Sequence, residues 1–284
     1  MKKVMLLVIG LLNVGRLCWA QATAPSLGTA ATFAVLGSSN VTCTAPGVIS
    51  GDVGVSPGLF TNTTGCTMAG TVHQGDVAAS NALAALNTAY QNALVANSSC
   101  TLPLLPAAPS ASFTLTPGVY CNMGAAGLTF NNVTLTRNAG GNANAVWVFK
   151  IDAGLTGTGL QVVMAGGGQP CNVYWLVGAD STLTTSTVQG NILAGGPTGS
   201  FTSTDGTLIG RVLANGAVTM TRPNVHGTCA LAAQGGGGGA GCPNDDDDRD
   251  KDHHDRDKDK DHRDRDKDKE HRDRDDKEKD RDHE

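Results

Sequence analysis

Apolar and polar residues alternate along short stretches of this chain, and glycine or proline interrupts them. In residues 218–221 (VTMT) every second residue is a threonine, which is typical of a strand with one buried face. Residues 145–151 (AVWVFKI) and 173–177 (VYWLV) are apolar almost throughout, which predicts strands covered on both sides. The pattern therefore predicts a mainly β protein.

A single segment departs from this alternation. Residues 76–97 carry a stripe of leucines with Tyr90 at helical spacing, among many alanines. Asp76 stands where its carboxylate would cap the first turn. We expect one helix here, lying with its leucine stripe against a flank of the β structure.

A repeat of about twenty residues organises the C-terminal half. Residues 190–196 read GNILAGG, and residues 210–216 read GRVLANG. Repeats of this length, built from short strands and glycine corners, predict a β-solenoid. Three segments share the frame Thr-x-x-Thr/Asn, apolar residue, any residue, Gly: 184–190, 204–210 and 221–227. A fainter copy at residues 44–51 indicates that the repeat extends to the N-terminal part.

Charge divides the chain sharply. Every residue from 245 to 284 is charged or histidine, whereas residues 21–244 hold five acidic and four basic side chains. We interpret residues 231–244 as a glycine-rich linker and residues 245–284 as a disordered mixed-charge tail. The tail is suited to contact cations or cell-wall polymers. The nearly neutral remainder, residues 21–230, is the predicted folded domain.

The first 20 residues are typical of a secretory signal. Two lysines precede an apolar run, and small residues follow at the expected cleavage site after Ala20. No later stretch is long and apolar enough to predict a membrane span. We expect an exported protein, extracellular or periplasmic.

The cysteines left after removal of the signal lack the CxxC spacing of zinc sites, which favours disulfides. We expect three pairs: Cys43 with Cys66, Cys100 with Cys121, and Cys171 with Cys229. Cys242 remains as the odd thiol, available for an intermolecular bridge.

Residues suited to catalysis are few. Asp180 and Asp205 are the best carboxylate pair, but their separation does not match the repeat and Asp205 stands in a corner-like Asp-Gly. No GxSxG elbow, phosphate loop or metal-ligand spacing occurs. The domain is not basic, which argues against nucleic acid as a partner. We predict no enzyme activity, no cofactor and no metal.

Threonine is the conspicuous side chain of the repeats. On a solenoid, equivalent threonines of successive coils would lie about 4.8 Å apart, and alternate residues along a strand about 6.7 Å apart. Ordinary β-propensity explains the abundance of threonine, but it explains the coil-to-coil register less well. Such an uncharged grid of methyl and hydroxyl groups is suited to order water and freeze onto a crystal plane.

The sequence resembles the microbial ice-binding protein family in several segments, which run in order over nearly the whole domain. The matching segments are 27–36, 48–58, 115–120, 145–151, 171–178 and the GNILA repeat. The resemblance implies a right-handed, irregular β-solenoid of triangular cross-section with one α-helix packed alongside. It also implies adsorption to ice through one flat face, with no turnover.

Two sets of threonines are candidates for that face. Some active members of the family carry Thr-Ala/Gly-x-Thr/Asn there, and this chain matches the ends of that motif but has Thr185, Asp205 and Arg222 at its second position. The last two are charged and unsuited to ice if they point outward. The first set is Thr184, Thr187, Thr204, Thr207, Thr221 and Asn224. The second set pairs Thr182 with Thr184, Ser200 with Thr202, and Thr219 with Thr221.

An alternative hypothesis keeps the fold and changes the partner. The solenoid would be an adhesive or structural unit of a cell surface or matrix, without ice activity.

Overall fold

The computed structural model describes residues 21–63 and 65–227. The chain divides into two compact units, Met1–Gly238 and Gly239–Glu284, and all described residues belong to the first. The predicted signal (1–20), linker (231–244) and tail (245–284) lie outside the described residues. So do Cys229 and Cys242.

Parallel strands stacked coil on coil form the domain, which confirms the predicted β-solenoid. Eight strands, numbered in chain order, form one sheet that we call the helix-side sheet. They are β1 (Phe33–Gly37), β4 (Asp52–Val55), β7 (Val72–Gln74), β9 (Gly118–Asn122), β12 (Trp147–Ile151), β15 (Val173–Val177), β18 (Asn191–Ala194) and β20 (Val212–Ala214).

The remaining 13 strands form a second sheet. They are β2 (Asn40–Cys43), β3 (Val48–Ser50), β5 (Leu59–Asn62), β6 (Thr67–Met68), β8 (Phe113–Leu115), β10 (Leu128–Asn131), β11 (Thr134–Asn138), β13 (Leu155–Thr158), β14 (Gln161–Ala165), β16 (Ser181–Thr184), β17 (Thr187–Gln189), β19 (Phe201–Ile209) and β21 (Val218–His226). Two short 3-10 helices, Gly28–Thr32 and Pro170–Asn172, precede β1 and β15.

The second sheet turns a corner, so that it covers two sides of the solenoid. At this corner successive coils place Asn132, Gly159, Thr185, Asp205 and Arg222, all with φ between 48° and 62°. This left-handed backbone turns the chain locally. We call the side with β10, β13, β16, β2, β5 and the first halves of β19 and β21 the threonine face. The side with β8, β11, β14, β17, β3, β6 and the second halves of β19 and β21 is the mixed face.

The predicted helix is present as α1, Val77–Ala96. Asp76 caps it, because its Oδ1 accepts a hydrogen bond of 2.8 Å from the amide of Ala79. Leu86 and Tyr90 of the predicted stripe are buried against the helix-side sheet, while Leu83 and Leu94 are only partly buried. Most of the buried helix residues are alanines instead. Small side chains let the helix lie close to the sheet.

The helix-side sheet is covered on both sides, as the apolar runs in β12 and β15 predict. Val148, Tyr174 and Leu176 face the helix. Alternate residues face the solenoid interior, where the rings of Phe149 and Trp175 stack with centroids 4.0 Å apart. These two strands therefore contribute to two hydrophobic clusters at once.

Glycines explain the spacing of the repeat. Ile192 and Leu193 of β18 pair in register with Val212 and Leu213 of β20, one repeat later. Gly190 and Gly210 precede these strands with φ of 120° and 147°. A Cβ on Gly210 would overlap the carbonyl oxygen of Gly190. Glycine is required at this corner because the coils touch there through their backbones.

The stacking order of the coils differs from their order in the chain. Val35 of β1 pairs with Val212 of β20, and Val41 of β2 pairs with Val218 of β21. The C-terminal coil therefore lies between the N-terminal coils and the central coils. The helix links the two groups of coils.

Of the two arginines buried among the described residues, Arg137 is the more deeply buried. Arg137 of β11 has no solvent-exposed surface, and its Nη1 donates a 2.8 Å hydrogen bond to the carbonyl oxygen of Gln189. Its Nε and Nη2 have no partner within the described part of the chain. Burial lowers the pKa of this guanidinium to about 9. The surrounding interior is largely apolar, so burying this charge destabilises the fold.

Two disulfides link described residues. Cys43 pairs with Cys66, with Cα atoms 6.3 Å apart, and Cys100 pairs with Cys121 at 5.8 Å. Both pairs are those that the sequence predicts. The predicted partner of Cys171 lies outside the described residues, so that pairing stays a prediction.

Candidate functional site

The threonine face carries an unbroken rank of threonines, one from each of its seven strands. Main-chain pairing places each member directly beside the next. In spatial order the rank is Thr129, Thr156, Thr182, Thr202, Thr219, Thr42 and Thr61. All are exposed or half-buried. We call this the first rank.

A second rank lies two residues further along each strand, on the same side of the sheet. Its members are Asn131, Thr158, Thr184, Thr204, Thr221, Thr44 and Thr63. The hydroxyls of Thr44 and Thr221 lie 2.7 Å apart and hydrogen bond to each other. The two ranks form a grid with spacings of about 4.8 Å between coils and about 6.7 Å along the strands.

The outward column on the other side of the first rank is irregular. It includes Gly154, Asp180, Ser200 and Ala217, in register with one another. The Oδ1 of Asp180 accepts a hydrogen bond of 2.9 Å from the amide of Ser200. Regular threonine spacing is therefore confined to the two ranks.

The mixed face is less uniform. Thr187, Thr207 and Asn224 align there in successive coils, and the Nδ2 of Asn224 donates a 3.1 Å hydrogen bond to the Oγ1 of Thr207. Gln161 continues this column on one side and Val48, exposed to 43%, continues it on the other. This face has threonines in register only locally.

The nine candidate residues of the sequence analysis thus fall on two surfaces. Thr182, Thr202 and Thr219 belong to the first rank, and Thr184, Thr204 and Thr221 to the second. Thr187, Thr207 and Asn224 lie on the mixed face. The frame Thr-x-x-Thr/Asn does not form one surface, because its two middle residues turn the corner. The residues of the grid recur with a period of two along each strand, not three.

Asp205 and Arg222 occupy that corner and bind each other. The Nε and Nη2 of Arg222 donate to Oδ1 and Oδ2 of Asp205, in a bidentate ion pair between stacked coils. Hydrogen bonding to Arg222 lowers the pKa of Asp205, and the same bond raises the pKa of Arg222. Both side chains are solvent-exposed. They point outward, but as a neutral pair at the edge of the grid.

Sequence reasoning missed the threonines at the two ends of the stack of coils. They include Thr129 and Thr156 at one end and Thr42 and Thr61 at the other. A signal for them exists. The segments 41–44 (VTCT), 60–63 (FTNT), 128–131 (LTFN), 155–158 (LTGT), 201–204 (FTST) and 218–221 (VTMT) share the frame apolar-Thr-x-Thr/Asn. Except for the exposed Asn62 in the outermost segment, the first and third positions lie on the inner side of the sheet, and the other two positions form the grid.

Other kinds of site find no support in residues 21–63 and 65–227. Within these residues no three histidine, cysteine or acidic side chains cluster to hold a metal ion. Among the described helices, none combines the length and hydrophobicity that crossing a membrane requires.

Comparison with known proteins is consistent with this architecture. Residues 35–226 match the family model described as Ice-binding-like. An ice-binding protein of Nostoc sp. (strain HG1) is 40% identical over 213 residues, which cover 72% of this chain and 74% of the relative. An ice-binding protein of Flavobacterium frigoris (strain PS1) is 30% identical over 210 residues, covering 69% and 73%.

A solved structure shares the fold. The crystal structure of an ice-binding protein from the Antarctic ascomycete Antarctomyces psychrotrophicus superposes with a TM-score of 0.59 at 28% identity. The match covers 72% of this chain and 98% of that protein.

Proposed function

The chain belongs to the ice-binding-like family, and on this basis we propose that it adsorbs to ice through the threonine face. The unbroken first rank carries the proposal. A hydroxyl and a methyl group recur on all seven strands of this face, and parallel backbone pairing holds them in place. Many weak contacts, fixed before binding, then add without a large cost in side-chain ordering.

Charge supports the same choice. Adsorption to a solid replaces liquid water around the contacting groups, and this desolvation is costly for unpaired charges. Neither rank contains a charged side chain. The mixed face supports the proposal less well, because Gln161 and Val48 replace threonine in its best column.

The biological role follows from adsorption. We propose a secreted, non-enzymatic protein that inhibits ice growth and recrystallisation, without cofactor or turnover. Its partner is the crystal surface. Export rests on the signal predicted for residues 1–20, and contact of the charged tail with cations or wall polymers stays a prediction.

One pair of variants tests the face directly. Thr202 and Thr207 lie on the same strand, β19, but on the threonine face and the mixed face, respectively. We expect Thr202→Tyr to lose most of the thermal hysteresis and recrystallisation inhibition, because the ring lifts the grid off the ice. Thr207→Tyr is the matched control and retains both activities.

Nanolitre osmometry measures these effects, with thermal unfolding to show that each variant is folded. The reverse pattern would move the site to the mixed face. Complete lack of ice shaping by the wild-type protein at high concentration would refute ice binding and favour the adhesive solenoid.

A further inference from the structure

A contribution to the stability of the fold is a poor explanation for the ion pair between Asp205 and Arg222. Arg222 adopts φ of 51°, a backbone region that suits glycine, asparagine and aspartate much better than arginine. The following Pro223 restricts Arg222 further. An exposed ion pair adds little to stability, because water screens it and two side chains must be ordered. Backbone preference and packing therefore give no reason for arginine at this position.

Position suggests another role. Asp205 directly follows Thr204, and Arg222 directly follows Thr221, so the pair borders the second rank at two adjacent coils. Aspartate at the corner is favoured by the backbone, but its lone carboxylate would keep a hydration shell beside the grid. Arg222 meets both carboxylate oxygens.

We infer that Arg222 matches Asp205 so that the corner edge of the threonine face, beside the second rank, carries no unpaired charge, and that neutrality at this edge is required for adsorption to ice. On the opposite border the carboxylate of Asp180 accepts a hydrogen bond from the amide of Ser200. The inference rests on the proposed function and deepens it. The two residues determine specificity for ice because they neutralise each other's charge. Neither adds a threonine-like group to the grid. The pair keeps its charges satisfied when liquid water leaves the edge.

A double-mutant cycle tests this inference. The variants are Asp205→Asn, Arg222→Gln and the double variant, measured by thermal hysteresis at equal protein concentration. Each single variant leaves one unpaired charge at the edge, and we expect each to lose most of the activity. The double variant removes both charges, and we expect it to regain wild-type activity.

Two controls separate this effect from others. Gln91→Glu adds one charge on the exposed side of α1, and we expect wild-type activity from it, which excludes net charge as the cause. Thermal unfolding midpoints of all variants should stay close to the wild type. A purely structural ion pair would instead move the midpoint and the activity together.

Several results would overturn the inference. Single variants as active as the wild type would do so, and so would a double variant no more active than the singles. In both cases an active wild-type protein would leave the proposed function standing. An inactive wild-type protein would refute the proposed function itself, and this inference with it.

Discussion

Replacing the buried arginine should make the domain more stable. Arg137 is fully buried, makes one hydrogen bond, and leaves Nε and Nη2 without partners in the described structure. In register it lies between Leu115 and Met164, which are apolar. Methionine has similar length and would fill the space without a charge. The carbonyl oxygen of Gln189 would still accept a hydrogen bond, because the indole Nε1 of Trp175 also donates to it, at 3.2 Å.

The expected gain follows from the cost of the buried charge. A tenfold change in proton affinity corresponds to about 1.4 kcal/mol, and burial lowers the pKa of Arg137 from its usual range to about 9. The charged form is therefore disfavoured by several kcal/mol. Replacing buried ionic groups with well-packed apolar ones is often neutral or stabilising by about 1–4 kcal/mol. For a domain of about 200 residues, each 1 kcal/mol raises the unfolding midpoint by about 2–4 °C.

Thermal unfolding at pH 7 and at alkaline pH measures this effect. The folded-state pKa lies below that of the unfolded chain, so above a pH of about 9 the unfolded chain binds the extra proton. Wild-type stability should therefore gain from this group as pH rises through that window. The Arg137→Met variant lacks this group and should not gain stability in that window. Its higher unfolding midpoint relative to the wild type should therefore become a smaller difference as the pH rises. Arg137→Ala, which leaves a cavity, should be less stable than Arg137→Met.

A lower unfolding midpoint for Arg137→Met at pH 7 would refute this reasoning. It would mean that interactions of the guanidinium with its surroundings stabilise the folded state by more than its desolvation destabilises it.

Three further predictions concern the frame of the solenoid. Gly210→Ala should lower stability by about 1–3 kcal/mol through backbone strain alone, with the overlap at the Gly190 carbonyl adding to it; chemical denaturation measures the loss. Replacing Cys100 and Cys121 by serine should cost about 3 kcal/mol, and an unchanged midpoint under reducing conditions would contradict this. Because hydrogen bonds from Ala79 and His73 lower the pKa of Asp76, its capping contribution should persist above the unfolded-state pKa and disappear as pH falls through the folded-state pKa. Asp76→Asn should therefore weaken the acid dependence of unfolding, measured by thermal unfolding at a series of acidic pH values.

Much of the fold was predictable because its repeats follow simple physical rules. Alternation identified the half-buried strands, and glycine spacing identified the coils. Asp76 and the apolar stripe identified the helix. The alanine-rich contact of the helix was not evident, because alanine is compatible with either side of a helix.

The arrangement of the threonine face was anticipated only in part. The frame from Thr184 to Thr187 looks continuous in sequence, but Thr185 has φ of 48° and turns the chain between them. Threonine is a poor residue for that conformation, so local preference gave no warning. The distant Thr42 and Thr129 join one rank only because the N-terminal coils stack beyond the C-terminal one. The frame apolar-Thr-x-Thr/Asn marks these threonines in the sequence, but the order in which the coils stack leaves no local trace there.

The internal position of the last coil has a consequence for folding. Strand β21 pairs with β2 and β3, which lie at the opposite end of the domain sequence. Until β20 and β21 are available, β1 to β3 lack their inner neighbours. The domain therefore cannot be shortened coil by coil from its C-terminal side, as simpler repeat proteins can. Such non-local pairing predicts slow folding that completes only after the whole domain has been synthesised.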